Sequence, residues 1–156
     1  MSNNGTNREK FSFRILNADD VDRIAEIDEK IVMRKRTKLF KEEIAREIKG
    51  HSEETLGAFT EEGKLIGYII AETKVYIYGQ DDLSAWIIVL GVDPEYQGMG
   101  IGTKLAKRII EYFSKRGIKT IRTITQWAWG DLVEFFANSG FELSDYLTLE
   151  MRIGEK

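Results

Sequence analysis

Residues 92–102 read Val-Asp-Pro-Glu-Tyr-Gln-Gly-Met-Gly-Ile-Gly, and this stretch decides the fold. The apolar run at residues 86–92 leads into it, as is typical of a strand that is buried on both faces. An amphipathic segment follows, with Leu105, Ile109 and Phe113 at helical spacing. The sequence therefore predicts a buried strand, a glycine-rich turn and a helix start in direct succession.

This junction predicts an anion site. The first N–H groups of a helix have no partner within the helix, and the helix dipole adds partial positive charge there. A phosphate or pyrophosphate is the ligand that such a site favours. Glycines suit the turn because a Cβ would keep phosphate oxygens away from the amides, and because glycine permits positive φ. We assign this ligand to Gln97, Gly98, Met99, Gly100, Ile101, Gly102 and Thr103.

Other nucleotide-binding loops do not fit this spacing. A P-loop needs a lysine and then a serine or threonine after its last glycine, whereas Thr103 and Lys104 come in the reverse order. A dinucleotide fold needs Gly-x-Gly-x-x-Gly after the first strand, with two residues between its second and third glycines. Here a single residue separates Gly100 from Gly102, and the loop comes late in the chain. A tight turn alone would explain one or two glycines, and this loop has three.

Composition limits the function further. The 156 residues predict a tail at residues 1–10 and a single domain at residues 11–156. The chain has no cysteine, which excludes disulfides, thiolate metal sites and a cysteine nucleophile. Its one histidine, His51, lies beside Gly50 and Ser52 and is interpreted as a solvated loop residue. We therefore expect no metal site.

Charge and hydropathy argue against two classes of partner. A net charge of −3 gives no basic footprint for nucleic acid. The chain lacks a run of 18 apolar residues, and its first ten residues are polar, so we expect no membrane segment and a cytoplasmic location.

Periodicity predicts a mixed α/β (α+β) fold in the order strand, two helices, three strands, helix, strand, helix, strand. Asn17 is the expected cap of the first helix, and Ser139 and Gly140 close the last one. The predicted strands are residues 11–16, 55–60, 65–72, 86–92, 119–125 and 146–153, the last with Leu147, Leu149, Met151 and Ile153 on one face.

The loop at residues 97–102 resembles the Gln/Arg-x-x-Gly-x-Gly/Ala signature of the GNAT superfamily of N-acetyltransferases. The Val-Asp-Pro-Glu-Tyr stretch before it, the element order and Gly140-Phe141 after the fourth helix fit the same family. The resemblance covers roughly residues 11–153. It implies a mixed, mostly antiparallel sheet that splays between its fourth and fifth strands and is flanked by about four helices.

The resemblance also implies a chemistry. Acetyl-CoA would be the cosubstrate, with its pantetheine arm bound along Leu90, Gly91 and Val92 and its pyrophosphate on the amides of the glycine loop. A backbone N–H near Leu90 would polarise the thioester carbonyl. An amine of a small molecule or of a protein would then attack directly, and positioning would supply much of the rate. Pairing of two copies as a homodimer is left open.

The family's usual proton-transfer residues do not carry over. The position of the strand glutamate is Trp86 and that of the helix tyrosine is Phe136, and neither side chain exchanges a proton. Other candidates are Asp28, Asp131 and Tyr146, with Glu72 at the end of its strand as a further one. A non-catalytic module that binds or senses acyl-CoA is therefore the alternative function.

Asp28 is the most specific of these candidates. It falls on the helical stripe of Val21, Ile24, Ala25 and Ile31, so its carboxylate lies either at the edge of the stripe or in a polar cavity. An unpaired carboxylate turned inward would cost several kcal/mol. We therefore expect Asp28 to line the acceptor cleft, where it would meet a cationic ligand.

Overall fold

The computed structural model describes residues 10–76, 82–126 and 128–154. The predicted tail lies outside these residues except for Lys10. The strands and helices form in the predicted order except for the last strand: β1 Phe11–Arg14, α1 Val21–Val32, α2 Lys38–Gly50, β2 Thr55–Thr60, β3 Leu65–Tyr76, β4 Asp82–Val92, α3 Ile101–Lys115, β5 Ile121–Thr123 and α4 Gly130–Asn138.

The elements fall into two compact units, one ending at Ile124 and one beginning at Thr125. The first unit holds a five-stranded sheet in the order β1-β2-β3-β4-β5. Every neighbouring pair is antiparallel except β4 and β5, which run parallel. This confirms the mixed, mostly antiparallel sheet.

The splay between β4 and β5 is confirmed by the register. The two strands pair only from Ala85 with Ile121 to Ile87 with Thr123. Beyond Ile87, β4 continues to Val92 and pairs with β3 alone among the described strands. A register shift at this point, where Ile70 pairs with Val89 but Ala71 with Ile87, adds one residue to β4. Such a bulge bends a strand and increases its twist.

The two faces of the sheet are covered by different helices. On one face, Tyr68 and Ile70 of β3 pack into a core cluster with Ile24 and Ile27 of α1 and Ile44 of α2. Neighbouring residues of a strand point to opposite faces. Gly67 accordingly faces α3, where a Cβ would lie 3.0 Å from Ile101 and 3.2 Å from Leu105. The sheet is thus buried between α1 and α2 on one side and α3 on the other.

The predicted Asn17 cap forms on a 3-10 turn, Ala18–Asp20, that leads directly into α1. The Asn17 side chain accepts a hydrogen bond from the Asp19 amide at 2.9 Å, and the Asp20 carboxylate accepts one from the Asn17 amide. This reciprocal pair is a capping box. Asp20 also accepts two hydrogen bonds from Arg14, at 2.8 and 2.9 Å, which tie the helix start to β1.

The second unit contains α4, which ends at Asn138 with Ser139 as its C-cap, and Gly140 then turns left-handed with φ 95°. The predicted final strand at residues 146–153 is wrong, because the structure assigns no strand there. Its alternating apolar side chains are all more than four-fifths exposed. Alternation produces a strand only where a neighbour supplies hydrogen bonds, and none of the described strands pairs with this segment.

Among the described residues, no helix has both the length and the apolar character needed to cross a bilayer.

Candidate functional site

The glycine loop adopts the geometry that its sequence predicts. Gly98 and Gly100 have φ of 83° and 76°, in the left-handed region where other residues are strained. α3 starts directly after them, and its Lys104 amide donates to the Gly100 carbonyl at 3.0 Å. The amides of Ile101, Gly102 and Thr103 therefore have no carbonyl of the preceding turn to bond. They form the open end of a 15-residue helix.

Space for a ligand exists beside this loop. No atom lies within 4 Å of a Cβ placed on Gly98 or on Gly100. Gln97 and Met99 are exposed as well, so the whole turn faces solvent. The Gln97 side chain donates to the Val92 carbonyl at 3.2 Å and holds the turn against the end of β4.

The fully buried carboxylate of Asp93 anchors the start of the turn that leads into the glycine loop. The Asp93 side chain accepts from Arg23 at 2.6 Å and from Lys30 at 3.1 Å, both on α1. It also accepts from the Glu95 amide at 3.1 Å, while the Asp93 amide donates to the Ile66 carbonyl at 2.8 Å. Asp93 thus joins α1, β3 and the turn that leads into the loop. Its cationic partners lie more than sixty residues away, so the local sequence gives no sign of this role.

The surroundings of Asp93 favour its charged form. Burial by itself would raise the pKa of this carboxyl, but the Glu95 amide, Lys30 and Arg23 together hold it below its usual value. The negative charge is therefore part of the folded structure near neutral pH.

Leu90, Gly91 and Val92 lie at the splayed end of β4. On one edge they pair with Ile69, Tyr68 and Gly67 of β3, and no described strand pairs with the other edge. An extended ligand can bind along such a free edge as an added strand would.

Asp28 is buried, and its carboxylate has two partners. Arg36, which follows α1, donates to one oxygen, and the Tyr68 hydroxyl lies 3.4 Å from the other. Burial, then the Asp28 charge, raises the pKa of Tyr68 above its usual value, so the phenol stays protonated. The same phenol lies against β4, since a Cβ on Gly91 would come within 2.6 Å of it. The Tyr68 side chain therefore lies between Asp28 and the splayed end of β4.

The partner of Asp28 comes from the basic segment Arg34-Lys35-Arg36, which follows α1. Sequence patterns of this kind usually mark a solvated loop, and Lys35 fits that reading with a side chain that is 95% exposed. Arg36 does not, because its side chain is 20% exposed and turned inward onto Asp28 and the Phe40 ring. The sequence showed the positive charges but not which of them is buried.

The candidates Asp131 and Tyr146 belong to the second unit. Asp131 is exposed in the first turn of α4, where a carboxylate complements the helix dipole. Tyr146 is 47% exposed, and its amide donates to the Ser144 hydroxyl at 3.2 Å. Phe136 is buried within the second unit, between Phe135 and Phe141.

A family model for the acetyltransferase (GNAT) family matches residues 21–141. This match spans most of the chain, and the chain belongs to that family.

Individual relatives agree with this membership. An uncharacterized N-acetyltransferase of Methanocaldococcus jannaschii is 31% identical over 80 residues, which are 51% of this chain and 35% of that protein. The aligned part thus spans about a third of the relative's length. A transcriptional regulator from Bacillus halodurans C-125 superposes with a TM-score of 0.74 at 20% identity, covering 92% of this chain and 99% of that one.

The NatC complex bound to Gag peptide and CoA superposes with a TM-score of 0.70 at 15% identity, covering 83% of both chains. At these identities, the likeness to both solved structures is one of fold.

Proposed function

We propose that the protein transfers the acetyl group of acetyl-CoA to an amine, with the CoA pyrophosphate bound at residues 97–103. One observation carries the proposal: two left-handed glycines open α3 at the end of a strand that splays from its neighbour. The helix start offers amides to the phosphates, and the free edge of β4 offers a path for the pantetheine arm.

The reaction would proceed by direct transfer. The amine nitrogen attacks the thioester carbonyl carbon, the C–N bond forms, and collapse of the intermediate breaks the C–S bond. A backbone N–H near Leu90 would hold the oxyanion in between. The ammonium must lose one proton before attack, and the nitrogen loses a second once the C–N bond has formed. The CoA thiolate takes one proton up on leaving, and the other goes to the solvent.

Proton transfer is assigned to the charged and hydroxyl groups that this chain offers. Asp28 would hold the acceptor amine through its carboxylate, beside Gly91 of the splayed strand. Asp131 would accept a proton, since its carboxylate is exposed at a helix start. The half-exposed hydroxyl of Tyr146 would return one to the thiolate. Trp86 and Phe136 have no exchangeable proton of suitable pKa, so they would shape the site without proton chemistry.

The proposal is tested by measuring free thiol released from acetyl-CoA against a panel of small amines and peptides with free N-termini. We expect release that depends on one class of amine, together with an acetylated product of the expected mass. CoA binding without release across the whole panel would favour the non-catalytic acyl-CoA module. Absence of CoA binding would contradict both functions.

We expect Asp28→Asn to weaken acceptor use and also to lower stability. An asparagine leaves the largely buried Arg36 without its anionic partner, which costs about 1–3 kcal/mol. Acceptor binding through the carboxylate predicts a lower rate at subsaturating amine, with CoA affinity unchanged. Steady-state kinetics at a temperature where the variant is fully folded, together with urea unfolding, measure the two effects separately.

A matched variant separates the two roles of Asp28. Arg36→Met removes the cation but keeps the Asp28 carboxylate, so it should lower stability while leaving an anion for the amine. Unchanged acceptor kinetics in Asp28→Asn, alongside its stability loss, would show that Asp28 only pairs with Arg36 and Tyr68.

A further inference from the structure

Three potential metal ligands converge between α2 and β3, in a cluster that the proposed function does not use. They are Glu47, His51 and Glu72, and one ligand atom from each lies within 4.8 Å of the other two. Glu47 and His51 are four residues apart, so they project from the same side of α2 and its end. Glu72 faces them from β3. We call these residues the Glu47–His51–Glu72 cluster.

The sequence interpreted His51 as a solvated loop residue, but the structure places it partly buried, between two carboxylates. His51 is the C-cap of α2, where its amide donates to the Glu47 carbonyl at 2.8 Å, and its side chain is 34% exposed. Its Nδ1 lies 3.3 Å from a carboxylate oxygen of Glu54, and its Nε2 lies 3.8 Å from one of Glu72. Glu54 in turn accepts from the amide and hydroxyl of Thr73, at 2.8 and 2.6 Å.

A carboxylate near the second ring nitrogen is a common feature of metal-binding histidines. A carboxylate that accepts from one ring nitrogen fixes the tautomer and leaves the lone pair of the other nitrogen for a metal. Here Glu54 would fix Nδ1–H, and Nε2 would face the cluster.

Glu47 supplies a second, independent observation. Its Oε2 atom is buried and has no hydrogen-bond partner within the described part of the chain. Buried polar atoms in proteins almost always have a hydrogen-bond partner. A buried carboxylate oxygen without one needs a proton, a water molecule or an ion to offset its desolvation.

We propose that the Glu47–His51–Glu72 cluster binds one divalent transition-metal ion of the zinc type. One imidazole and two carboxylates suit such an ion, whereas calcium and magnesium prefer oxygen ligands alone. Zinc bonds of about 2.0–2.2 Å in a tetrahedral site place ligand atoms about 3.5 Å apart, so the cluster must close by roughly 1 Å. The bound ion would join α2 to β3 and leave its fourth position for water.

Because the chain has a single histidine, the sequence had led us to expect no metal site. That argument excludes sites that need several imidazoles, but it does not exclude one imidazole combined with carboxylates from two different elements.

One cation already competes for this cluster. The Lys74 ammonium lies 2.9 Å from Oε1 of Glu72 and 4.8 Å from the centre of the Trp86 ring, with its side chain half exposed. A metal at the cluster would meet repulsion from this ammonium. Removing Lys74 should therefore tighten metal binding, which is the opposite of what removing a ligand does.

The test is calorimetric titration of Zn²⁺ into the full chain after chelator treatment, without acetyl-CoA. We expect one ion per chain, bound more than tenfold more weakly in His51→Ala and in Glu72→Gln. Glu54→Gln should weaken binding about 10- to 100-fold, as loss of an orienting carboxylate does. Lys74→Ala should tighten it several fold.

Glu53→Gln is the matched control. Glu53 lies next to Glu54 in the short turn Ser52–Glu54, but its carboxylate binds Arg116 at 2.9 Å and not the cluster. Zinc affinity should therefore not change. Zinc should also raise the melting temperature of the wild type and not that of His51→Ala. Glu72→Gln serves the same purpose if His51→Ala folds poorly.

Absence of zinc binding would overturn the proposal, as would zinc affinity that neither ligand variant lowers. Neither result bears on acetyl transfer, because the titration contains no CoA.

Discussion

Replacing Gly100 with valine is expected to reduce CoA affinity at least about 100-fold. Gly100 has φ of 76°, a conformation that is very unfavourable for a β-branched residue, so valine would pull the turn away from it. The displaced turn would lose charge-assisted hydrogen bonds from its amides to the phosphates, each of which contributes about 1.5–3 kcal/mol. Two such bonds account for the expected factor.

The measurement is calorimetric titration of CoA into the variant. The same strain should cost about 1–2 kcal/mol of stability, so a control must carry strain without the phosphate contact. Gly63 fits, because it has φ of 84° in the turn between β2 and β3 and no atom within 4 Å of its Cβ position. Gly63→Val should lose similar stability and keep its CoA affinity. Undiminished affinity in Gly100→Val would disprove the assignment of the loop.

Replacing Asp93 with alanine is expected to lower the free energy of unfolding by about 3–5 kcal/mol, the cost of breaking a buried ion pair. The side chain is fully buried, and its removal leaves Arg23 and Lys30 without their shared anion. The anchor below the glycine loop is lost as well, so we expect CoA affinity to fall even where the variant is folded.

Urea unfolding at an unchanged m-value measures the loss of stability. Asp22→Ala is the comparison, because it removes a carboxylate of α1 that is 82% exposed and bound to Lys41, and it should cost less than about 1 kcal/mol. If both variants lose the same small amount, the buried network does not stabilise the fold.

Asp93 also predicts a dependence on pH. Its pKa is lower in the folded chain than the value of about 3.9 for an unperturbed aspartate. The stability that this difference supplies is complete above the unfolded value and is lost as the pH falls through the folded one. The stability gap between wild type and Asp93→Asn should therefore narrow on acidification below about pH 4. A gap that stays constant down to pH 2 would speak against a charged Asp93.

The site divides into local parts that the sequence predicted and distant contacts that it did not. The left-handed turn at Gly98 and Gly100 was predicted because glycine is the residue type that adopts positive φ without strain. The helix after them was predicted because its apolar spacing has a period of its own. The burial of Asp93 and Arg36 was not predicted, because the residues that bury and pair with each of them come close only in the folded chain.

The predicted strand at residues 146–153 failed for a related reason. Its alternating side chains show which face would be buried, but a strand exists only where a second strand completes its hydrogen bonds. Pairing is a property of the sheet, and the alternation of one segment cannot supply it.

By itself the sequence thus determined the order of the elements from β1 to α4 and the glycine loop between a buried strand and a helix, since these follow from short-range periodicity and backbone freedom. The splay of β4 from β5 was implied only by the family resemblance. The tertiary structure alone decided which charges are buried: Asp93 between Arg23 and Lys30, Asp28 against Arg36, and His51 facing Glu47 and Glu72. The physical reason is that desolvation and pairing energies depend on distances between residues far apart in the chain, and those distances exist only once the helices pack on the sheet.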